Sequence, residues 1–348
     1  MNHERYLTFI IFGILAFLYL WFTFLDDDNK SNISEGDEED LIAQAIPKPV
    51  FAWKAKIETQ QDLKIGIITD THIRATRFNK KDKSPSALRY IKEKYLKDFV
   101  NFNKQMSILG PDFIIHLGDI VEGTDDPDFV SLNGIALVKN ELLKNNVPIY
   151  WLIGNHELRS ITKEQFKEVL DLDSLQYYKD IGDYRFIFLD GNFNPDNIDT
   201  DFMGQSYLPG FIHPKTLNWL EELLKTEKRV FVFMHQAVLG ADFFQSDEFF
   251  KSAVANWRQV MDLFEKYDVE AFFNGHIENR YYKEVNGVKY YSLTGTKKSV
   301  QYPASYYELV IENGQPRVTM YYTEPEINQS KTIDFETGKE IKKQSEFK

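Results

Sequence analysis

Apolar residues in the middle of this chain gather into short runs, and each run stops abruptly at polar residues. Residues 64–69 lead into Asp70-Thr71-His72, residues 112–117 into Gly118-Asp119, and residues 148–153 into Gly154-Asn155-His156-Glu157. Residues 229–234 lead into His235, and residues 269–274 into Gly275-His276-Ile277-Glu278. The runs are too short for helices and are apolar on both alternating faces, which predicts buried strands. Between them the spacing becomes helical. One helix is predicted from Ser84 as cap and Pro85 as first residue through Leu88, Ile91, Tyr95, Phe99, Phe102 and Met106, with Gly110-Pro111 stopping it. Others carry Ile135, Val138 and Leu142; Leu217, Leu220 and Leu224 after His213-Pro214; and Phe250, Val254, Trp257, Met261 and Phe264. Residues 183–190 read as a further strand. Beyond residue 280 the pattern turns to hairpins, around Asn286-Gly287 and Asn313-Gly314. Strand-helix alternation followed by hairpins predicts an α/β core with mixed sheets, in one domain over residues 61–322. Residues 323–348 are polar and are expected to be a loose or surface-lying tail.

The first sixty residues follow other rules. Leu7 to Leu25 is apolar apart from Thr8 and Thr23, about the length a bilayer-spanning helix needs. Tyr19 and Trp21 sit toward its distal end, Arg5 precedes it and Asp26-Asp27-Asp28 follows. The expectation is an uncleaved signal anchor over residues 7–25, with residues 1–6 in the cytoplasm and the rest outside. A cleaved signal peptide is the rival; the apolar stretch is long for one, and no small-residue cleavage site follows closely. Residues 26–40 hold eight acids against Lys30 and almost nothing apolar. Residues 26–60 are therefore expected to be an acidic tether and lead-in that builds no core.

Composition narrows the chemistry. The formal net charge is −12, more than half of it from residues 26–40, so no broad nucleic-acid-binding face is expected. There is no cysteine, so disulfides and thiolate metal ligands are excluded. Any metal must be held by histidine, carboxylate or amide. Of the seven histidines, His72, His156, His235 and His276 follow strand-like runs. Open α/β sheets place ligands at that end of their strands. His116 lies inside a run and His213 at a helix start, where packing or capping is expected.

Asp70, His72, Asp119, Asn155, His235, His276 and Glu278 can together hold two cations without sulfur. Their oxygen and imidazole mixture suits Mn, Fe, Zn or Mg. The ordered series Asp70-x-His72, Gly118-Asp119, Gly154-Asn155-His156-Glu157, His235 and Gly275-His276-x-Glu278 resembles the calcineurin-like metallophosphoesterases, over residues 62–322. The segment from Thr216 to His235 further resembles the purple-acid-phosphatase and cyclic-nucleotide-phosphodiesterase branch. The resemblance implies a four-layer αββα sandwich with two mixed sheets. It implies a dinuclear site: Asp70 and His72 on one metal, Asp119 between the two, and Asn155, His235 and His276 on the other. His156 is then the group that touches the phosphoryl and the leaving oxygen, with Glu122 behind it. The implied reaction is hydrolysis of a phosphomonoester or phosphodiester by a hydroxide between the metals. Glu278 stands where the family usually has a second histidine. It can coordinate as a hard ligand, or it can point away and leave a degenerate site, in which case the chain is a membrane-tethered binding or scaffold protein. Arg74, Arg159, Asn192 and Arg280 follow motif ends and could touch a phosphate. Residues 192–210 are expected to face the substrate.

Overall fold

The computed structural model describes residues 62–73, 93–124, 126–195, 197–201, 210–239, 253–296, 304–312, 314–323 and 330–341. The expected anchor, the acidic tether, Ser84, Pro85, Arg74 and Phe250 lie outside them. Among the described residues, no helix is long and apolar enough to cross a membrane.

Two sheets carry the fold. In the first, β1 (Leu63–Ile68), β2 (Phe113–His116) and β3 (Ile149–Trp151) run parallel, and β12 (Ser305–Glu312), β13 (Gln315–Thr323) and β14 (Ser330–Asp334) extend it antiparallel in the order β14-β13-β12-β1-β2-β3. In the second, β5 (Tyr184–Leu189), β8 (Arg229–Met234), β9 (Ala271–Asn274) and β11 (Val288–Ser292) run parallel, with β10 (Tyr281–Val285) and β4 (Tyr177–Ile181) antiparallel at the edges. A small hairpin pairs β6 (Phe193–Asn194) with β7 (Asn197–Asp201).

Side-chain alternation shows how the sheets stack. Ile65, Ile67, Phe113 and Ile115 from one sheet meet Phe186, Phe188, Phe231 and Phe233 from the other in one core. The alternate residues face outward under helices. Ile68 and Ile114 pack with α1 (Glu93–Leu109), α2 (Asp128–Leu142) and α3 (Lys163–Leu170). Ile187, Val230 and Val232 pack with α4 (Pro214–Leu224) and α5 (Trp257–Lys266). The architecture is a mixed α/β sandwich of two mixed sheets between helices. Aromatic rings lie side by side across the second sheet, with centroids 5.4 Å apart for Phe188–Phe233, 5.1 Å for Phe233–Phe273 and 4.7 Å for Phe273–Tyr291. Each buried ring of this row contributes roughly 1.5–3 kcal/mol.

Local rules explain the ends. Gly110 takes φ 59 and closes α1 by donating to the Met106 carbonyl. Thr162 and Gln165 make a reciprocal capping box at the start of α3. Asn286 and Gly287 both have positive φ, which fits the twist of the β10–β11 turn. The C-terminal stretch is more than a loose tail: β14 pairs with β13, and Phe335 is fully buried against Tyr291 and Tyr307. The helix expected to include Val254 begins at Trp257 instead.

Candidate metal centre

The ligand-type side chains leave the carboxyl ends of five parallel strands. β1 delivers Asp70 and His72, β2 Asp119 and then Glu122, β3 Asn155 and His156, β8 His235, and β9 His276 and Glu278. Asp70 (φ 49), His72 (φ 44), Asp119 (φ 52), His276 (φ 66) and Glu278 (φ 50) all adopt the left-handed region. A side-chain-bearing residue there costs on the order of 1 kcal/mol or more, and it persists only where its surroundings hold it. Three backbone bonds hold the first two loops together: Asp70 N to Gly118 O at 3.1 Å, His72 N to Asp119 O at 3.0 Å, and Ile73 N to Ile120 O at 2.9 Å.

Glycine lets these turns close on one another. A Cβ at Gly154 would lie 2.1 Å from Asp119 Oδ1, and one at Gly275 would lie 2.4 Å from Asp70 Oδ2. The two aspartates are pressed against bare backbone.

Asp70, Asp119, His235 and His156 each spend one polar atom on the scaffold and turn another to a shared volume. Asp70 Oδ2 accepts from the Thr69 hydroxyl and from the His276 amide at 3.2 Å, which leaves Oδ1 buried without a hydrogen bond. Asp119 Oδ1 accepts from the His156 amide at 2.9 Å. Its Oδ2 lies 3.2 Å from His235 Nε2, 3.7 Å from His72 Nε2 and 3.8 Å from His156 Nε2. His235 donates from Nδ1 to the Leu117 carbonyl at 2.9 Å, and its Nε2 faces Asn155 Oδ1 at 3.2 Å. His72 Nε2 is 3.0 Å from Glu278 Oε1 and 3.6 Å from Asp70 Oδ1. The His235 and His276 rings meet edge-on at 5.1 Å. Asp70, His72 and Glu278 form one possible ligand triad, and Asp119, His235 and His276 another. Glu278 turns inward, toward His72.

Glu122 serves two histidines differently from the expected arrangement. Its carboxylate Oε2 lies 3.2 Å from His72 Nδ1, whereas His156 Nδ1 donates to its main-chain carbonyl at 2.9 Å. It thereby orients the ring of His72 as well as that of His156. Arg159 donates to Thr124 Oγ1 at 2.7 Å and lies 3.6 Å from Glu122.

The electrostatics are those of crowded opposite charges. Burial would lower His235, but Asp119 overrides it and lifts the ring to about 9. Burial likewise opposes, and Asp70, Glu122 and Glu278 outweigh it, in raising His72. Against burial, His235 and His156 hold Asp119 well below the usual carboxylate range. Burial pushes His276 down to about 4 and lowers His156.

Glu157 had no assigned part in the sequence reading. It is fully buried and accepts from three backbone amides: Gly154 at 2.8 Å, Asp119 at 3.0 Å and Val121 at 3.1 Å. It splices the β2 and β3 loops and is not a metal ligand. Its signal was its place directly after His156, in a turn whose amides need an acceptor. Burial and the nearby charge of Asp119 push its carboxyl up to about 7. Two of the phosphate-contact candidates turn elsewhere. Asn192 is fully buried, donating to the Ile153 carbonyl and to Asp190, and Arg280 lies over the Phe335 ring. His116 is buried in the core, and His213 caps α4 by accepting from the Lys215 amide.

The oxygen and imidazole donors fit divalent cations. Asp70 Oδ1 and His72 Nε2, buried without a hydrogen bond, are the clearest sign, because buried polar atoms rarely go without one. A mixed α/β sandwich with this donor set at its strand ends defines a metallophosphoesterase, a phosphoester hydrolase. The chain belongs to the calcineurin-like phosphoesterase family, whose model matches residues 63–278. It is similar to the manganese-dependent ADP-ribose/CDP-alcohol diphosphatase of Arabidopsis thaliana, 27% identical over 222 residues, which is 52% of this chain and 70% of that protein. Among solved structures, a dimetal phosphatase from Danio rerio matches with a TM-score of 0.59 at 16% identity, over 78% of this chain and 99% of that one. GAP50, the anchor in the inner membrane complex of Plasmodium, matches with a TM-score of 0.50 at 13% identity, over 79% and 89%. At these identities the two structures speak to the fold alone.

Proposed function

We propose that this chain is a two-metal phosphoester hydrolase, anchored by residues 7–25 with its catalytic domain outside the cytoplasm. The observation that carries the metal reading is the division of labour within each carboxylate. Asp70 and Asp119 each tie one oxygen to backbone amides and leave the other facing imidazole nitrogens. Asp70, His72 and Glu278 would hold one cation, Asn155, His235 and His276 the other, and Asp119 both. Bound divalent cations supply positive charge that polarises phosphoryl oxygens and acidifies water.

The chain's own groups do the rest. Leu117 and Glu122 fix the Nδ1 atoms of His235 and His156, so both rings present Nε2 inward. Burial keeps His156 neutral before substrate arrives. A phosphoryl group brings negative charge that raises its proton affinity, so Nε2 can hold a proton and pass it to the departing oxygen. The Arabidopsis relative makes nucleoside diphosphate esters the first substrates to test. The full chain, supplied with Mn²⁺, is expected to hydrolyse bis-p-nitrophenyl phosphate, ADP-ribose or a CDP-alcohol. Asp119→Ala is expected to abolish that turnover, and normal turnover in that variant would refute the assignment. Protease protection of intact cells tests the anchor; a domain shielded from external protease would refute the outward orientation.

A further inference from the structure

His116 does not enter the shared volume, yet it lies beneath three of the loops that build it. Its ring is fully buried. It ends β2, between Ile68 of β1 and Trp151 of β3. The Gly118 amide donates to its Nδ1 at 3.2 Å. Its Nε2 lies 3.3 Å from Thr71 Oγ1, and that hydroxyl donates to the Ile120 carbonyl at 2.8 Å. A hydroxyl has one proton. With it committed to Ile120, Thr71 Oγ1 can only accept, so the ring carries hydrogen on Nε2. The Gly118 amide requires a lone pair on Nδ1. Only one neutral tautomer meets both demands. The resulting chain touches the residues on both sides of Asp119 and crosses to the residue between Asp70 and His72. The ring also stacks on Trp151, centroids 5.7 Å apart, at the end of the strand that leads to Asn155.

We propose that His116, as the neutral Nε2–H tautomer, is a positioning residue that locks the Asp70–His72 loop to the Gly118–Ile120 loop and keeps their metal ligands in register. Three ligands on those loops sit in the left-handed region, at φ 49, 44 and 52, and such backbone relaxes unless it is held. Burial pushes the ring down to about 3, so it stays neutral. A protonated ring would set an Nδ1 donor against the Gly118 amide. Glutamine places no acceptor at Nδ1, and asparagine reaches no donor to Thr71, so neither replaces both bonds.

The inference rests on the metal reading of the site, and two measurements separate their fates. Long-range ¹H–¹⁵N correlation spectra of the full wild-type chain are expected to show His116 with its proton on Nε2, unchanged between about pH 5 and 8. A proton on Nδ1, or titration in that range, overturns the proposal whether or not metal binds. Calorimetric titration with Mn²⁺ gives the second readout. His116→Phe keeps the ring on Trp151 and removes both hydrogen bonds. It is expected to raise the Mn²⁺ dissociation constant about 10- to 100-fold, with partial recovery in His116→Asn, which restores an acceptor for Gly118. A purely structural role would lower the melting temperature of both variants and leave the Mn²⁺ affinity of the folded protein unchanged, which overturns the proposal. Should His116→Phe fail to fold, Thr71→Val cuts the same chain from its other end and is expected to weaken Mn²⁺ equally; wild-type affinity there is contrary. A wild-type chain that binds no Mn²⁺ sinks the metal reading, and the tautomer then decides the hydrogen-bond chain alone.

Discussion

Replacing Gly154 with alanine adds a single methyl group against the carboxylate that both proposed metals share. The backbone at Gly154 lies outside the left-handed region that favours glycine, so alanine would ordinarily stabilise by about 0.4–1 kcal/mol through the unfolded chain. The surroundings reverse that sign. The new Cβ would stand 2.1 Å from Asp119 Oδ1 and 2.4 Å from its amide nitrogen, where real Cβ atoms keep at least 3.0 Å. Neither atom is free to step aside, because Oδ1 holds the His156 amide and the nitrogen is bonded to Glu157. The carboxylate must retreat by roughly 0.9 Å, and overpacking of this kind costs about 1–3 kcal/mol. Its other oxygen would then leave its 3.2 Å approach to His235. A misplacement of about 1 Å at a reacting centre costs on the order of 100-fold in rate. Thermal unfolding of the metal-free chain, Mn²⁺ calorimetry and turnover of bis-p-nitrophenyl phosphate read the three effects. A Gly154→Ala protein with raised melting temperature and wild-type Mn²⁺ affinity would refute the reasoning.

Glu157→Ala removes the acceptor of three buried amides and is expected to cost at least about 2 kcal/mol in chemical denaturation; a change within about 0.5 kcal/mol, the usual surface value, would count against it. Glu278→Ala is expected to weaken one Mn²⁺ site and spare the other, while Glu278→His, which restores the family's usual residue, keeps two; equal binding by all three proteins would show that Glu278 holds no metal. Because His235 is raised from 6.5 to about 9, its proton stabilises the metal-free fold fully below the lower value, and that contribution is lost as pH rises through the upper one. Mn²⁺ must displace the same proton, so its apparent affinity is expected to climb over that window, and a flat profile by calorimetry would contradict the assignment.

What the sequence made legible was the order of ligand types at strand ends, because a buried parallel strand has to be apolar on both faces and stops where its loop begins. Asp70, His72, Asp119, Asn155, His235 and His276 announced themselves by that abrupt change. The left-handed backbone that aims five of the ligands inward was not legible, since even aspartate and histidine adopt it only in a small minority of positions, and glutamate less often still. Glu157 was hidden for a related reason: its work is to satisfy amides of other loops, which only the fold brings near. Glu122 could be placed behind His156, where it lies, but its second neighbour His72 was not legible, because only the fold brings its carboxylate within 3.2 Å of that ring. The edge elements escaped as well. β14 is polar apart from Ile333 and is recruited by β13, and Phe335, which follows it, gives no periodic signal although it is fully buried.

The central claim is that Asp119 stands between two cations. Anomalous diffraction at the manganese edge from crystals of the chain grown with Mn²⁺ tests it most directly. The account predicts two peaks within bonding reach of Asp119, one also beside Asp70, His72 and Glu278 and the other beside Asn155, His235 and His276. A single peak, or a pair lying away from Asp119, would contradict it.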